Sequence, residues 1–364
     1  MSNRRRVAVL GSTGSVGTQT LEVLKAHPDR FELVGLGAGS DERALAEQAR
    51  EFPGARTVLG ADGARELATA NDVDLVLNGI VGAAGLEASI AALEAGKILA
   101  LANKESLVAG GRVCLDAASR GGGTIVPVDS EHAALGQCLE GYAPDSVESV
   151  VLTASGGPFR TREDLSAVTP AEALAHPTWD MGPRITVDCA TLFNKGFEVI
   201  EAHFLFGFAY DDIDVVVHPQ SVVHAMVQFV DGSFVMQAAP TDMRIPIQAA
   251  LSYPDRIEGA YASLDAAKLG ELMFEPLDRS RFPALDIAYE AGRQAQTYPA
   301  ALNAADEIAV SAFLGGVIEF EAIANVVRAV VEDHDPGDDT ALDAVLDADE
   351  RARRHAQNLI ESAA

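Results

Sequence analysis

The sequence is poor in cysteine and contains no long apolar run. Its three cysteines, Cys114, Cys138 and Cys189, form no C-x-x-C pair, so they indicate neither a disulfide framework nor a zinc site. A reducing compartment fits this pattern. No uncharged apolar run is long enough to span a membrane, and the short apolar run after the basic start does not suffice for a secretory signal. We therefore expect a cytoplasmic protein that does not enter a membrane.

Positive charge is also scarce. The chain has 27 Lys and Arg against 54 Asp and Glu, spread along its length, for a formal net charge of −27. Such a field disfavours nucleic acid as a partner. An anionic substrate would need locally placed cations, hydroxyls, amides and helix N-termini, with or without a metal ion. With 364 residues, 48% of them hydrophobic, the chain is long enough for about two to three domains with their own cores.

The first motif is a strand, a glycine-rich loop and a helix. An aliphatic run at 6–10 leads into GSTGSVG at 11–17, and helical periodicity follows. Glycines allow close backbone approach, and the helix N-terminus offers free N–H groups to a pyrophosphate. The candidate dinucleotide contacts are Thr13, Gly14, Ser15 and Val16. A G-x-x-G-x-x-G string alone is weak evidence, but its place at the first strand–helix junction strengthens it.

A second strand, residues 31–36, leads into Gly39, Ser40 and Asp41, where a dinucleotide-binding fold recognises the adenosine ribose. Asp41 would suit a free 2′-hydroxyl, whereas Ser40 and Arg43 could hold a 2′-phosphate. These residues therefore leave NAD and NADP open. Asp41 can also be the N-cap of the helix that follows it, and the two roles are compatible.

Strands and helices continue to alternate, which predicts a parallel sheet with helices on its faces. Strands are expected at 74–81 and 97–102. Asn103, Lys104 and Glu105 follow the second of these, at the edge where open α/β sheets bind their ligands. Lys104 could be an ordinary surface lysine, but its position favours a catalytic or substrate-binding role.

A further strand, residues 124–128, is followed by Asp129, Ser130 and Glu131. If the strand continues to Glu131, its carboxylate and that of Asp129 point the same way, a hard-oxygen site suited to Mg²⁺ or Mn²⁺. The alternative is helix capping: Asp129 or Ser130 would be the N-cap of a helix over 133–140, with Glu131 in its first turn.

The second half of the chain predicts a mixed sheet and then helices. A strand over 148–154 ends at Ser155, whose hydroxyl and adjoining backbone could receive a phosphate. Asp231-Gly232 between two apolar runs is a strong hairpin signal. From Phe282 onward the sequence is helical, which predicts a closing bundle. Helices are expected at 284–295, 300–314, 320–332 and 341–364.

Residues 176–183, HPTWDMGP, are bracketed by prolines and too broken for regular structure, so we interpret this lid loop as a cover over a pocket. The segment after it predicts a helix over 191–206 with a polar stripe at i, i+3, i+4 and i+7. The stripe consists of Thr191, Asn194, Lys195 and Glu198. The alternative is a surface helix on which Lys195 and Glu198 merely pair.

Eight motifs in register resemble the 1-deoxy-D-xylulose 5-phosphate reductoisomerase family. Each one is moderate evidence, whereas all of them in the family's order make coincidence negligible. They are GSTGSVG at 11–17, LANKESL at 101–107, PVDSEH at 127–132, TASGGPF at 153–159, HPxWxMG at 176–182, NKGxE at 194–198, HPQSV at 218–222 and ALNAADE at 301–307.

The resemblance implies an NADPH-dependent and divalent-metal-dependent conversion of 1-deoxy-D-xylulose 5-phosphate to 2-C-methyl-D-erythritol 4-phosphate, a step in isoprenoid precursor synthesis. It also implies a V-shaped homodimer. The implied metal ligands are Asp129, Glu131 and Glu198. The implied catalytic residues are Lys104, Glu131 and His176, and proton handling is assigned to the first two. The implied substrate contacts are Lys104, Ser130, Glu131, Ser155, His176, Trp179, Cys189, Asn194, Lys195 and Glu198. The implied cofactor contacts are Thr13, Gly14, Ser15, Val16, Gly39, Ser40, Asp41, Asn103, Glu105, Met181 and Gly182.

The implied fold is α/β, with a Rossmann-like dinucleotide-binding domain over residues 1–127. An α+β catalytic domain with a mixed sheet and the lid loop follows at 128–262. A linker at 263–282 leads to a C-terminal helical bundle at 283–364. Two other functions remain open: an NAD(P)H oxidoreductase acting on another sugar phosphate, and a weakly active nucleotide-binding relative.

Three positions depart from the family pattern. Cys189 stands where the family usually has serine, and a thiol is a poorer hydrogen-bond donor to phosphate, which predicts weaker phosphate binding. Ser40 and Asp41 stand where a basic residue and asparagine are common, which bears on the NADPH preference. Pro183 and Arg184 replace a basic pair and leave a single cation there.

Overall fold

The computed structural model describes residues 4–179, 181–259, 261 and 263–363, which form two compact units. The first unit comprises the chain up to 107 together with 111–133 and 242–263, and the second comprises 108–110, 134–241 and 264 onward. Some predicted positions lie outside the described residues: Met1, Asp180 of the lid loop, Ala262 at a domain boundary and Ala364. The division into three domains and a linker stays a prediction.

The first unit contains a six-stranded parallel sheet in the order β3-β2-β1-β4-β5-β6. This order reverses beside β1, and such a reversal is where dinucleotide-binding sheets form their crevice. The predicted Rossmann-like domain is therefore confirmed. The elements are β1 Arg5–Leu10, α1 Ser15–Ala26, β2 Phe31–Ala38, α2 Glu42–Glu51, β3 Arg56–Leu59, α3 Gly60–Thr69, β4 Leu75–Asn78, α4 Leu86–Glu94, β5 Ile98–Leu101, α5 Glu105–Gly121, β6 Thr124–Pro127 and α6 Ser130–Leu139.

The second unit contains a four-stranded mixed sheet in the order β10-β9-β7-β8, and its helices include a C-terminal group. β7 pairs parallel with β8 and antiparallel with β9, and β9 and β10 form the predicted hairpin. The remaining elements of the chain are β7 Val147–Ala154, α7 Pro170–Ala173, α8 Pro183–Thr191, α9 Phe193–Phe206, β8 Ile213–Val217, β9 Val223–Phe229, β10 Phe234–Ala238, α10 Arg244–Ser252, α11 Ala284–Gln294, α12 Tyr298–Leu314, α13 Phe320–Glu332 and α14 Leu342–Ala363.

Helix α10 belongs to the first unit, although the sequence prediction placed its residues in the catalytic domain. Ile247 and Leu251 pack into the same core as Val9 and Leu24 of β1 and α1. The sequence analysis did not predict this helix, which contains Pro246 in its first turn. A proline in the first turn of a helix is tolerated, since the N–H it lacks has no partner within the helix.

The predicted helix over 191–206 is wrong at its start. Leu192 adopts a left-handed conformation with φ 71° and ψ 11°, which ends α8 at Thr191 and begins α9 at Phe193. A non-glycine residue there costs about 1 kcal/mol, and burial of Leu192 and Phe193 offsets that cost. Thr191 therefore does not belong to the polar stripe on α9. Its hydroxyl donates back to backbone carbonyls of α8.

The extension of the sixth strand to Glu131 is also wrong. β6 ends at Pro127, and the Ala133 N–H donates to the Asp129 carbonyl at 2.9 Å as α6 begins. Glu131 lies in the first turn of that helix, as the capping alternative predicted. Among the described helices, none is both long and apolar enough to cross a membrane.

Candidate functional site

The glycine-rich loop after β1 leaves no room for side chains where the backbone turns. A Cβ on Gly17 would lie 2.2 Å from the Gly11 carbonyl oxygen, and one on Gly11 would lie 2.5 Å from the Gly79 carbonyl oxygen. Gly14 is the N-cap of α1, and no side chain of the described residues caps this helix. Gly14 and Ser15 are exposed, and the first turn carries no acid. The N–H groups of this turn can therefore receive an anion such as a pyrophosphate.

The corner after β2 is open to solvent. Gly39, Ser40 and Asp41 are exposed, and the Asp41 carboxylate accepts from the Ala44 N–H at 2.9 Å. The N-cap role of Asp41 is thus confirmed. Arg43 is almost fully exposed and pairs with Glu47 at 3.3 Å on the same helix. This corner is therefore compatible with a free 2′-hydroxyl on the adenosine ribose and equally with a 2′-phosphate.

Asn103 and Glu105 hold the loop after β4. The buried Asn103 amide donates to the carbonyls of Ile80 at 2.7 Å and Gly82 at 2.9 Å. Glu105 accepts from the Gly82 N–H at 3.2 Å and from Asn103 at 2.8 Å. The side chains of these two predicted cofactor contacts therefore shape the strand-end backbone around the crevice.

Lys104 is not an ordinary surface lysine. Its ammonium lies 2.8 Å from the Asp129 carboxylate, and the two side chains are only 10% and 17% exposed. Ser130 donates to the neighbouring Glu131 carboxylate at 2.5 Å. The ring of His132, fully buried, lies 3.9 Å from Asp129. The first unit thus concentrates a lysine and two predicted metal ligands at the end of its sheet.

Asn194, Lys195 and Glu198 form a polar cluster on α9. The Asn194 amide and the Lys195 ammonium both donate to the Glu198 carboxylate. The Lys195 and Glu198 side chains are 4% and 1% exposed, so the interpretation of this pair as a surface pair is wrong. Burying charges costs several kcal/mol per ion, and such clusters are frequent at functional sites.

Ser155 and His176 link the end of β7 to the start of the lid loop. The backbone N–H groups of Thr178 and Trp179 donate to His176 Nδ1 at 3.3 and 3.0 Å, so the proton of the neutral ring lies on Nε2. Nε2 lies 3.1 Å from Ser155 Oγ, which also accepts from the Gly157 N–H at 3.1 Å. Burial lowers the pKa of His176 and so favours this neutral form.

The rest of the lid loop runs to Gly182 in irregular conformation over its described residues, and Pro183 is the first residue of α8. Trp179 and Met181 are partly buried, and Cys189 is partly buried on α8. His224, a buried histidine on β9, was not predicted, because no motif or spacing pointed to it; its ring centroid lies 6.3 Å from that of Trp179.

Arg184 is the single cation that follows the lid loop in the sequence. Its side chain points into the interior of the second unit, to which the residue belongs. Its guanidinium donates to Asn303 at 2.9 Å and to Asp306 at 3.3 Å, both on α12. These side chains on α12 are fully buried. Arg184 therefore places a positive charge beside the buried Asp306 carboxylate of α12. The motif spacing did not indicate this role.

Each unit brings together part of the predicted site. In the first unit these residues are Lys104, Asp129, Ser130 and Glu131, with the glycine loop at another strand end of the sheet. In the second unit they are Ser155 with His176, and Asn194 with Lys195 and Glu198. Hydroxyl, amide and ammonium donors suit a phosphate, and carboxylates suit Mg²⁺ or Mn²⁺.

Family models match three parts of the chain. The model described as 1-deoxy-D-xylulose 5-phosphate reductoisomerase matches residues 7–59 and 54–111. The models of the C-terminal domains of that enzyme match residues 125–206 and 238–355.

Individual relatives match along their whole length. The 1-deoxy-D-xylulose 5-phosphate reductoisomerase of Leifsonia xyli subsp. xyli is 52% identical over 358 residues, covering 98% of this chain and 99% of the relative. That of Thermomicrobium roseum is 50% identical and covers 98% of both chains.

Solved structures agree with this match. The crystal structure of a DOX-P reductoisomerase in complex with NADPH, fosmidomycin and magnesium superposes with a TM-score of 0.94 at 38% identity, covering 98% of both chains. The enzyme from Zymomonas mobilis in complex with NADPH gives 0.92 at 39% identity, covering 99% of this chain and 100% of that one. The chain therefore belongs to the 1-deoxy-D-xylulose 5-phosphate reductoisomerase family.

Proposed function

We propose that this protein converts 1-deoxy-D-xylulose 5-phosphate to 2-C-methyl-D-erythritol 4-phosphate with NADPH and Mg²⁺ or Mn²⁺. The observation that carries the proposal is the buried cluster of Asn194, Lys195 and Glu198 on α9. A carboxylate held beside an amide and an ammonium supplies a metal ligand and two phosphate donors from one helix turn. Relatives about half identical over their full length bear the name of this enzyme.

The metal ligands in this proposal are Asp129, Glu131 and Glu198. All three are carboxylates, and hard oxygen donors are the ligands that Mg²⁺ and Mn²⁺ prefer, so the donor set fits. The magnesium in a related crystal structure supports the choice of metal. When bound, the ion supplies Lewis acidity for substrate oxygens. The Lys104 ammonium, 2.8 Å from Asp129, is placed to exchange protons beside these carboxylates.

The cofactor contacts in this proposal begin with Thr13, Gly14, Ser15 and Val16 at the uncapped start of α1. Because a Cβ at Gly17 would meet the backbone of the loop, the fit for a pyrophosphate depends on glycine there. The exposed residues Gly39, Ser40 and Asp41 surround the adenosine ribose. NADPH supplies the hydride when bound. NADPH-bound relatives support this choice of cofactor.

The phosphate of the substrate is bound by Ser155, Asn194 and Lys195. Ser155 Oγ already accepts from the Gly157 N–H and from His176, so its own hydrogen is directed to a further acceptor. Cys189 on α8 contributes only a thiol, which weakens this part of the site. In a chain of net charge −27, these local donors must hold an anion against the overall field.

Proton handling is assigned to Lys104 and Glu131, and the lid loop covers the substrate and nicotinamide. The lid loop contacts the substrate through His176 and Trp179. It contacts the cofactor through Met181 and Gly182. His176 stays neutral because burial lowers its pKa, so the lid loop meets the substrate with an uncharged ring. Covering the reacting atoms excludes water and strengthens their electrostatic contacts.

The assembly in this proposal is a homodimer. It is supported by β10, an edge strand of the described sheet with exposed Phe234 and Met236. Light scattering on the purified protein measures the mass directly. A monomer at micromolar concentration would remove this part of the proposal without affecting the proposed reaction.

The decisive experiment follows NADPH absorbance with 1-deoxy-D-xylulose 5-phosphate and Mg²⁺ or Mn²⁺. NADH and EDTA serve as controls. Metal-dependent oxidation of NADPH supports the proposal, and the ratio of NADPH to NADH turnover reports how Ser40 and Asp41 affect cofactor choice. A folded protein that does not turn over this substrate would favour another sugar phosphate or a binding role.

A further inference from the structure

The lid loop has defined contacts at both ends within the second unit. At its start, His176 accepts from the backbone of Thr178 and Trp179 and bonds Ser155. At its end, the Gly182 carbonyl accepts from the Thr186 N–H at 3.1 Å and from its hydroxyl at 2.8 Å. The position of this end therefore depends on what holds the first turn of α8.

Arg184 holds that turn. Besides its contacts with Asn303 and Asp306, its guanidinium lies 3.4 Å from Glu307 on α12 and 3.7 Å from Asp188 on its own helix. The Arg184 side chain is 15% exposed, so water screens these charges little. The fork-shaped guanidinium binds several acceptors in fixed directions, which a lysine cannot do.

One of the acceptors on α12, Glu307, is in turn bound from α14. Arg353 donates to Glu307 at 2.8 Å and to Asp349 at 2.6 Å. The groups that face each other are the cations Arg184 and Arg353 and the acids Asp188, Asp306, Glu307 and Asp349. Burial raises the pKa of Asp306, and the charge and hydrogen bond of Arg184 oppose that shift, so the guanidinium favours the ionised carboxylate.

We propose that Arg184 is a positioning residue that fixes the C-terminal end of the lid loop to the helical bundle by binding Asn303, Asp306 and Glu307. It acts through α8 and does not touch the substrate. The proposal rests on the function proposed above, because that function assigns the covering of substrate to the lid loop. The placement of the loop end is nevertheless a property of the ligand-free protein and can be measured there.

Trp179 makes that measurement possible because it is the only tryptophan of the chain and lies in the lid loop. Acrylamide quenching of its fluorescence reports the exposure of the loop without substrate, metal or cofactor. The Arg184→Met variant, which keeps the apolar stem and removes the guanidinium, should raise the quenching constant. Arg184→Lys should give an intermediate value, since an ammonium keeps the charge but not the fork.

A variant that destabilises the bundle at another place provides the control. Val327 is fully buried on α13, whereas the residues of the guanidinium network lie on α8, α12 and α14, so Val327→Ala should lower the unfolding temperature and leave Trp179 quenching at the wild-type value. With turnover established for the wild type, Arg184→Met should raise KM for the sugar phosphate about tenfold, equivalent to about 1.4 kcal/mol, while Val327→Ala should not.

Equal quenching in Arg184→Met and the wild type would overturn the proposal, as would a matching increase in Val327→Ala. If the Arg184→Met variant does not fold, the same quenching experiment is done on Asp306→Asn. This substitution removes one negative charge that faces the guanidinium and keeps the shape of the side chain. A smaller increase of quenching in the same direction is expected there, and no increase would refute the role of Arg184. Inactivity of the wild type would refute the proposed function but leave the quenching result intact.

Discussion

The buried pair of Lys195 and Glu198 allows a role in stability to be separated from a role in activity. We consider Lys195→Met, Glu198→Met and the double variant. The two side chains are 4% and 1% exposed, so either single substitution removes the opposite charge that the other side chain binds in the interior. Breaking such a pair costs about 3–5 kcal/mol, whereas replacing both partners by apolar side chains of similar volume is often close to neutral.

The amide of Asn194 adds a further cost, because it donates to Glu198. Losing that acceptor costs about 1–3 kcal/mol in the interior. We therefore expect Lys195→Met to lose about 3–5 kcal/mol of unfolding free energy. Glu198→Met should lose more, by about the 1–3 kcal/mol of the amide. The double variant should regain most of this loss, keeping only about 1–3 kcal/mol from the amide.

The assay is urea unfolding without metal or NADPH, because ligands that bind the native state raise its apparent stability. Trp179 lies in the same unit as α9, so its fluorescence reports the unfolding of that unit. Turnover is measured on the same preparations. All three variants should be inactive, although the double variant is nearly as stable as the wild type.

Two results would refute this reasoning. A loss below about 1 kcal/mol in Lys195→Met would mean that the pair behaves like an exposed ion pair. Turnover by the stable double variant would mean that neither charged group takes part in the reaction, and the metal and phosphate assignments on α9 would be withdrawn.

Three further predictions concern the glycine loop, the phosphate contacts and the pH dependence of the lid loop. Gly17→Ala should abolish NADPH binding in a fluorescence titration, because its Cβ would lie 2.2 Å from the Gly11 carbonyl oxygen; wild-type affinity would contradict the assignment of this loop. Cys189→Ser should lower KM for the sugar phosphate severalfold, since a neutral hydrogen bond contributes about 1 kcal/mol; an unchanged KM would place the thiol away from the phosphate. Because burial lowers the pKa of His176, its contribution to stability is present above the pKa of an unfolded histidine, about 6.5, and is lost as the pH falls through the lowered value. Protonation removes the acceptor at Nδ1, so acidification should raise Trp179 quenching in the wild type but not in His176→Asn, whose amide oxygen does not titrate; identical pH profiles would exclude His176 as the cause.

The periodicity and junction motifs were sufficient to predict the architecture. Apolar runs such as Val7–Leu10 with a glycine loop after them allow few alternatives to a strand at the start of a parallel sheet. The hairpin at Asp231-Gly232 and the C-terminal helices were predicted for the same reason, since their signals are local.

The errors occurred where distant contacts override local signals. Nothing in the sequence around Leu192 favours a left-handed residue, and only the burial of its neighbourhood makes that conformation acceptable. The early end of β6 follows from the start of α6, whose first backbone bond involves the Asp129 carbonyl. The inward direction of Arg184 could not be predicted because its partners lie more than a hundred residues away.

The close approach of Gly11 to Gly79 has a consequence for redesign of the cofactor preference. Because a Cβ at Gly11 or Gly17 would lie 2.5 or 2.2 Å from a backbone oxygen, these two positions of the loop assigned to the pyrophosphate do not accept a side chain. By contrast, a Cβ at Gly39 would meet nothing within 4 Å, and Ser40 and Asp41 are exposed. The two parts of the cofactor site are thus separable: an engineer can exchange the residues after β2 to alter the preference for NADH or NADPH while the loop after β1 stays constant.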